Sequence, residues 1–155
     1  MTVKDILRDF GLDSVKIIQS NMQRAGQNAT GETSAAITSE MVGDERVQVT
    51  APEYIYVLED GRGPRKSSQT SDFNSKLEKW VIKRGIHLSM NKTVEQTTRS
   101  LQYLINKRGT KLYREGGRKD IITPIFAEER FEKLTKDIAE VQFNKTIKII
   151  DNGTI

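Results

Sequence analysis

Apolar residues recur at intervals of three and four in the first part of the chain, which is typical of an amphipathic helix. Thr2 and Asp5 favour a helix N-terminus, and Gly26–Gly31 marks the end of the repeat. Gly11 lies inside it, and a kink or break there is allowed because glycine costs on the order of 1 kcal/mol within a helix. The apolar positions of this predicted helix are Ile6, Phe10, Ile17, Ile18 and Met22.

Two further amphipathic helices are predicted in the middle of the chain, over Asp72–Arg84 and over Thr93–Arg108. Each is followed by a glycine, Gly85 or Gly109, which is the residue that most often ends a helix. The apolar side of the first is Phe73, Leu77, Trp80 and Val81. The apolar side of the second is Val94, Leu101, Leu104 and Ile105.

The last predicted helix begins at Thr123–Pro124, because proline fits the first turn of a helix. The acidic pair Glu128–Glu129 comes early in it, and Lys145 and Lys148 come late, as the helix dipole favours. Its predicted apolar face is Ala127, Phe131, Leu134, Ile138 and Val141.

Between the first and second helices, apolar and polar residues alternate in two short segments. Thr33–Val42 and Arg46–Ala51 flank a turn at Gly43–Glu45, and this pattern predicts a β-hairpin. The inward-facing positions are Ala35, Ile37, Met41, Val47, Val49 and Ala51. The predicted fold is therefore α+β: a small antiparallel hairpin packed with an N-terminal helix and a long C-terminal helix, with further helices between them.

The segment Ala51–Lys66 is the most distinctive part of the chain. Its apolar run Tyr54–Leu58 alternates in a way that would suit a third strand, yet Thr50–Glu53 resembles a capping box with proline in the first turn. A short helix is favoured, with Tyr54, Val57 and Leu58 on its buried face. The acidic pair Glu59–Asp60 follows, and then a glycine- and proline-rich turn with three cations: Gly61, Arg62, Gly63, Pro64, Arg65 and Lys66.

Composition narrows the class of protein. The 155 residues fit one domain, and there is no cysteine, which excludes disulfides and thiolate metal sites. Charges at Lys4, Asp5, Arg8 and Asp9 break any signal-peptide core, and no stretch approaches the roughly 20 apolar residues of a membrane span.

Charge is distributed unevenly along the chain. Residues 1–61 carry 5 basic and 10 acidic side chains, residues 62–119 carry 15 and 4, and residues 120–155 carry 5 and 7. The basic excess therefore lies wholly in the middle of the chain. Such asymmetry is typical of a surface that binds nucleic acid or a protein of opposite charge. Solvated faces of long helices would explain it as well.

No pattern in the chain indicates a catalytic, cofactor or metal site. His87 is the only histidine, and no zinc-protease, nucleophile-elbow or Walker motif occurs. Glu59, Asp60 and Asp72 could hold a divalent cation for hydrolase chemistry, although an acidic pair that caps the turn or pairs with nearby arginines explains Glu59–Asp60 more simply. The glycine turn could likewise cradle phosphate, but Pro64 removes one amide donor and a tight turn is the simpler interpretation.

A nucleic-acid-binding accessory protein is the alternative that the basic middle segment supports. Its cations are Lys83, Arg84, Lys92, Arg99, Lys107, Arg108, Lys111, Arg114, Arg118 and Lys119. Nucleic-acid modules usually pair such charge with exposed aromatic rings, whereas Trp80 is expected in the core. Tyr103 and Tyr113 are the other candidates, so a sequence-independent contact with the DNA backbone is the form this alternative takes.

The run Tyr54-Ile55-Tyr56-Val57-Leu58-Glu59-Asp60-Gly61-Arg62 resembles a recurring pattern of the tail-completion, or head–tail joining, proteins of long-tailed bacteriophages. Tyr54, Glu59 and Gly61 are in register with that pattern, and Gly63–Pro64 matches a variant with a G-R-G-P turn. Arg62 departs from the usual threonine. Ile122–Ala127 loosely occupies the place of a second family segment, and the resemblance covers about residues 1–65 and 120–150.

The resemblance implies a virion structural protein rather than an enzyme. Such proteins are small α+β subunits that form a homo-oligomeric ring, commonly of six or alternatively of twelve copies, assembled in the bacterial host cytoplasm. Their partners are the connector or portal and the tail proteins, with a non-specific contact to phage DNA left open. It further implies one domain over residues 1–155 with residues 66–119 as a basic helical insertion. The implied assembly residues are Tyr54, Glu59, Asp60, Gly61, Arg62, Gly63, Pro64 and Arg65.

Overall fold

The computed structural model describes residues 1–27, 31–65, 71–86 and 92–153, except for the side chains of residues 71–72 and 152–153. It has the predicted α+β fold, which is mostly helical with one two-stranded antiparallel sheet and a long C-terminal helix. The predictions for Lys66 and His87 lie outside the described residues.

The elements occur in the following order. They are α1 (Val3–Arg24), α2 (Glu32–Ala35), β1 (Thr38–Met41), β2 (Val47–Thr50), α3 (Ile55–Asp60), α4 (Ser71–Arg84), α5 (Val94–Arg108), α6 (Lys111–Arg114), a 3₁₀ helix (Thr123–Phe126) and α7 (Glu128–Gly153).

These elements form two compact units. One, here called the hairpin unit, comprises Met1–Glu53 and Asp120–Ile155. The other, here called the helical unit, comprises Tyr54–Lys119. The helical unit thus begins at Tyr54 and contains the motif segment together with the basic helices. That residues 66–119 are an insertion stays a prediction. Whether the chain folds as one domain stays a prediction.

The N-terminus of α1 is fixed at the predicted cap residues, Thr2 and Asp5, which form a capping box. The Thr2 hydroxyl accepts a hydrogen bond from the Asp5 amide at 3.2 Å, and the Asp5 carboxylate accepts one from the Thr2 amide at 2.9 Å. These hydrogen bonds from Thr2, with the nearby Arg8 charge, lower the pKa of Asp5. The helix then runs unbroken through Gly11, so no break forms there.

The hairpin packs on α1. Strands β1 and β2 pair antiparallel with Thr38 opposite Thr50 and Met41 opposite Val47. The predicted first strand is wrong at its start, because backbone hydrogen bonds from Ala35 to Gly31 and from Ala36 to Glu32 close a helical turn there. The buried apolar side chains of this unit are Ile6, Ile18, Met22, Ile37, Ile121 and Ile122.

The long helix α7 packs against α1 through one aromatic and one ionic cluster. The ring centroids of Phe10 and Phe131 are 5.6 Å apart, and the Arg130 guanidinium lies 4.9 Å from the Phe10 ring centroid. Arg130 also donates to Asp13 and to the Ser14 hydroxyl, each at 2.8 Å. This half-buried arginine therefore links three α1 side chains to the start of α7.

The beginning of this last helix differs from the prediction. Thr123–Phe126, with Pro124 in its first turn, forms a separate 3₁₀ helix, and α7 begins only at Glu128. The extended backbone of Ala127 (ψ 133°) separates the two, and its side chain is exposed rather than part of the apolar face.

The second half of α7 carries an exposed apolar stripe. At about 100° per residue, its members cluster within roughly 60° of arc, on the side opposite to Leu134, Ile138 and Val141. They are Phe143, Ile147 and Ile150, which are 66%, 39% and 60% exposed. A helix with apolar residues on two opposite faces has more apolar surface than its own unit covers.

Candidate functional site

The motif segment forms the short helix α3, as predicted, but its buried face is different. Ile55 and Glu59 are buried at 4% and 7% exposure, whereas Tyr54 and Val57 are exposed. The predicted capping box at Thr50–Glu53 does not form, because the helix begins after Tyr54 and has no side-chain cap. The later start leaves Ile55 and Glu59, one turn apart, as the residues that face inward.

A sharp corner follows α3 at Gly61. This residue has φ 76° and ψ −178°, and its amide closes the helix by donating to the Val57 carbonyl at 3.0 Å. That backbone region is essentially restricted to glycine, because a β-carbon would clash with the neighbouring peptide groups. Gly63 does not have a positive φ, so the two glycines of the corner have different roles.

A second turn, which begins where α5 ends, is bonded to this corner. The Arg62 amide donates to the Thr110 hydroxyl oxygen at 2.9 Å, and the Thr110 amide donates to the Arg62 carbonyl at 2.8 Å. The Arg65 amide reaches the Asn106 carbonyl at 3.0 Å, and the Arg118 amide reaches the Glu59 carbonyl at 2.7 Å. The segments 59–65 and 106–118 are therefore joined along their backbones.

Glycines allow these two segments to approach closely around Tyr113. A β-carbon on Gly61 would overlap the Tyr113 amide nitrogen, and one on Gly63 would lie 3.2 Å from the Tyr113 ring. A β-carbon on Gly109, which has φ 75°, would lie 2.8 Å both from the Arg62 carbonyl oxygen and from the Tyr113 ring. The corner is thus one face of a turn-to-turn contact that has no room for larger residues.

Sequence reasoning missed the partners in this contact. Gly109 was recognised only as the end of a helix, Tyr113 only as a candidate stacking residue, and Thr110 was not singled out. A local signal was present, since Thr110 caps α6 through the Tyr113 amide at 3.3 Å. Nothing in the sequence, however, linked that cap to Arg62, 48 residues earlier.

The corner's arginines differ in their surroundings. The Arg62 guanidinium stacks on the Phe73 ring at 3.9 Å from its centroid. Burial lowers the pKa of Arg62, and the nearby charge of Arg65 lowers it further. Arg65 itself is exposed, as are Asp60 and Pro64. Of the predicted assembly residues, the exposed ones are accordingly Tyr54, Asp60, Pro64 and Arg65.

No group of three or more metal-ligating side chains forms among the described residues. The proposed carboxylate set included Asp72, whose side chain is outside the described part of the chain, and within it Glu59 is buried while Asp60 is exposed. In the described ranges, no helix is both long enough and apolar enough to cross a membrane.

The two units carry opposite net charge. The helical unit has 15 basic and 6 acidic residues, a balance of +9, whereas the hairpin unit has 10 basic and 15 acidic residues, a balance of −5. The charge asymmetry of the sequence therefore becomes a difference between compact structural units. The corner lies at the beginning of the basic one.

Thr110→Val is expected to destabilise the helical unit by about 2 kcal/mol, because the Arg62 and Tyr113 amides both lose their acceptor. The matched control is Thr93→Val, which removes an N-cap of α5 that serves only local groups and should cost about 1 kcal/mol. Urea unfolding followed by Trp80 fluorescence measures both. Equal losses would show that the contact with Arg62 contributes nothing to stability.

No protein-family model, no curated protein and no solved structure matches the chain. The features on which a function can rest are therefore the corner, the opposite charges of the two units, and the motif around Tyr54–Gly61.

Proposed function

We propose that this protein is a virion structural subunit of a tailed bacteriophage that self-assembles into a ring at the head–tail junction and joins the connector to the tail. The resemblance of Tyr54–Arg62 to the tail-completion pattern suggests the family of roles. The observation that carries the proposal is the segregation of charge, −5 on the hairpin unit and +9 on the helical unit.

Opposite charges on two parts of one chain suit head-to-tail association. In such a ring each subunit presents one surface to the neighbour before it and a different surface to the neighbour after it. Complementary charge accelerates this encounter and disfavours the wrong pairing of like surfaces. The exposed stripe Phe143, Ile147 and Ile150 supplies apolar area of the kind that lies at the centre of stable interfaces.

The corner suits a contact surface because its backbone is fixed and its outer side chains are exposed. Asp60 and Arg65 project from a segment that is hydrogen-bonded to residues 106–118, so ordering them in an interface costs little further backbone entropy. Arg62, by contrast, packs on Phe73, and its replacement would change folding as well as association. Arg65 is the residue that tests the surface alone.

Self-association should depend strongly on salt. Sedimentation velocity at about 0.05 M salt is expected to show a discrete ring-sized oligomer. At about 0.5 M salt the equilibrium should shift towards monomer, because salt screens the attraction between exposed charges on neighbouring subunits. Arg65→Glu should weaken association about tenfold at low salt. Arg99→Glu is the control, since it makes the same charge change on another exposed arginine of the helical unit.

Two outcomes would contradict the proposal. One is a strictly monomeric protein at all concentrations, alone and mixed with connector or tail protein. The other concerns the corner only: if Arg65→Glu and Arg99→Glu associate equally well, the corner is not part of the interface, whatever the oligomeric state.

A further inference from the structure

One face of α4 combines an exposed indole with three lysines. At about 100° per residue, Lys76, Lys79, Trp80 and Lys83 fall within roughly 100° of arc. Leu77 and Val81, on the other side, are buried at 8% and 1% exposure. Trp80 was expected in the core, but it is 39% exposed and lies at the edge of the lysine face.

Two of the three lysines of this face are not neutralised by the described side chains. Lys79 and Lys83 make no ion pair or hydrogen bond with any described residue. Glu78, the acidic residue of α4 whose side chain is described, lies about 160° around the helix from Trp80. Lys79 and Lys83 are therefore exposed positive charges without a partner among the described side chains.

The outer face of α5 provides a comparison within the same unit. There Arg99 pairs with Glu95 at 2.7 Å, and Lys107 lies 5.6 Å from the centre of the Tyr103 ring. Those cations already have partners, and the Tyr103 ring is already occupied by one of them. On the α4 face, by contrast, Trp80 is exposed beside Lys79 and Lys83, which have no described partner.

We propose that this α4 face binds single-stranded nucleic acid, with Trp80 stacking on a base while Lys79 and Lys83 pair with neighbouring phosphates. An aromatic platform among cations serves any base sequence, because every base has a π-face and the phosphates repeat along the strand. Duplex DNA hides its base faces, and so it should bind this surface more weakly than a single strand. The inference does not depend on ring assembly.

Trp80 is the only tryptophan, so the intrinsic fluorescence of the chain reports on this one site. Titration with a 20-nucleotide oligothymidylate is expected to quench Trp80 emission to saturation. Inorganic polyphosphate of equal charge should compete for the lysines without quenching, because it has no bases. Equal quenching by polyphosphate would reduce the site to a general polyanion surface, and a blue shift with anionic vesicles but no quenching by oligothymidylate would indicate a lipid surface; either would overturn the proposal.

Salt dependence tests the lysines separately. For a single strand, each phosphate contact contributes about 0.7 to the slope of log K against log salt concentration. Lys79→Gln with Lys83→Gln should therefore reduce that slope by about 1.4, which corresponds to about 25-fold weaker binding near 0.1 M salt. The control is Lys133→Gln with Lys136→Gln, two exposed lysines of α7, which should leave the slope unchanged. Equal slopes for the two double variants would refute the assignment.

The stacking role of the Trp80 indole is tested by a third pair of variants. Binding is followed by the anisotropy of a labelled oligonucleotide. Trp80→Ala should weaken binding about tenfold or more, whereas Trp80→Phe, which keeps a stacking ring, should retain most of it. Circular dichroism confirms that each variant is folded. Unchanged binding by folded Trp80→Ala would eliminate stacking and with it the proposed site.

Discussion

Gly61→Val is expected to destabilise the helical unit by about 4 kcal/mol, the largest effect of any single substitution at the corner. Two independent costs combine. A β-branched residue is forced into a backbone region open only to glycine, and its β-carbon overlaps the Tyr113 amide nitrogen and lies 2.7 Å from the Thr110 hydroxyl oxygen. Backbone cannot move aside as a flexible side chain can, so the two bonded turns must separate.

The control for this substitution is Gly116→Val. Gly116 also has a positive φ, 86°, yet a β-carbon there would meet no atom within 4 Å. The stability lost in Gly116→Val should therefore be the conformational cost alone, about 1–3 kcal/mol. Urea unfolding followed by Trp80 fluorescence compares the two, because Trp80 belongs to the same unit. Equal destabilisation would mean that the close approach of residues 61 and 113 contributes nothing.

Local signals predicted the helices well. The predicted N-terminal cap at Thr2 and Asp5 forms, and α5 begins after Thr93 and ends at Gly109 as its sequence indicates. Caps and terminating glycines involve residues at most four positions apart, so a single sequence contains all the information they need. The hairpin turn at Gly43–Glu45 was predicted for the same reason.

Long-range packing explains most of what the sequence did not show. A carboxylate is seldom buried, so Glu59 was assigned to the loop while Tyr54 and Val57 were placed in the core; the structure has the reverse. Trp80 was predicted to be buried because it lies at helical spacing from Leu77 and Val81, but the buried stripe is narrower than the apolar one. The sequence of one helix does not determine how much of its apolar face the neighbouring elements cover.

The corner combines both kinds of information. That Gly61 supplies a positive φ followed from its place between a short helix and a proline. That the corner is bonded to Thr110 and Tyr113 did not follow, because that contact joins segments almost 50 residues apart. The prediction that the corner takes part in assembly now concerns its exposed residues, Asp60, Pro64 and Arg65, since Glu59 is buried and Arg62 stacks on Phe73.

Gly11→Leu is expected to destabilise the hairpin unit by about 3 kcal/mol, even though leucine is the better helix former by just under 1 kcal/mol. Gly11 is buried where α1 meets the hairpin, and a β-carbon there would overlap Ser39 Oγ and Val47 Cγ2. Accommodation requires the hairpin to lift from α1. Hydrogen exchange should therefore accelerate at the Val42 amide, which donates to the Arg46 carbonyl at 2.8 Å in the hairpin.

A double-mutant cycle separates this close approach from any general effect of changing Gly11. Gly11→Ala brings only the β-carbon, whose overlap with Ser39 and Val47 offsets the gain in helix propensity, so it should be neutral or destabilising. Val47→Ala removes the stiff methyl group that it would meet. Together the two substitutions should be at least about 1 kcal/mol more stable than the sum of the single changes predicts. Additive effects would mean that α1 and the hairpin are not in contact at Gly11, and that the glycine tolerated within this helix has some other cause.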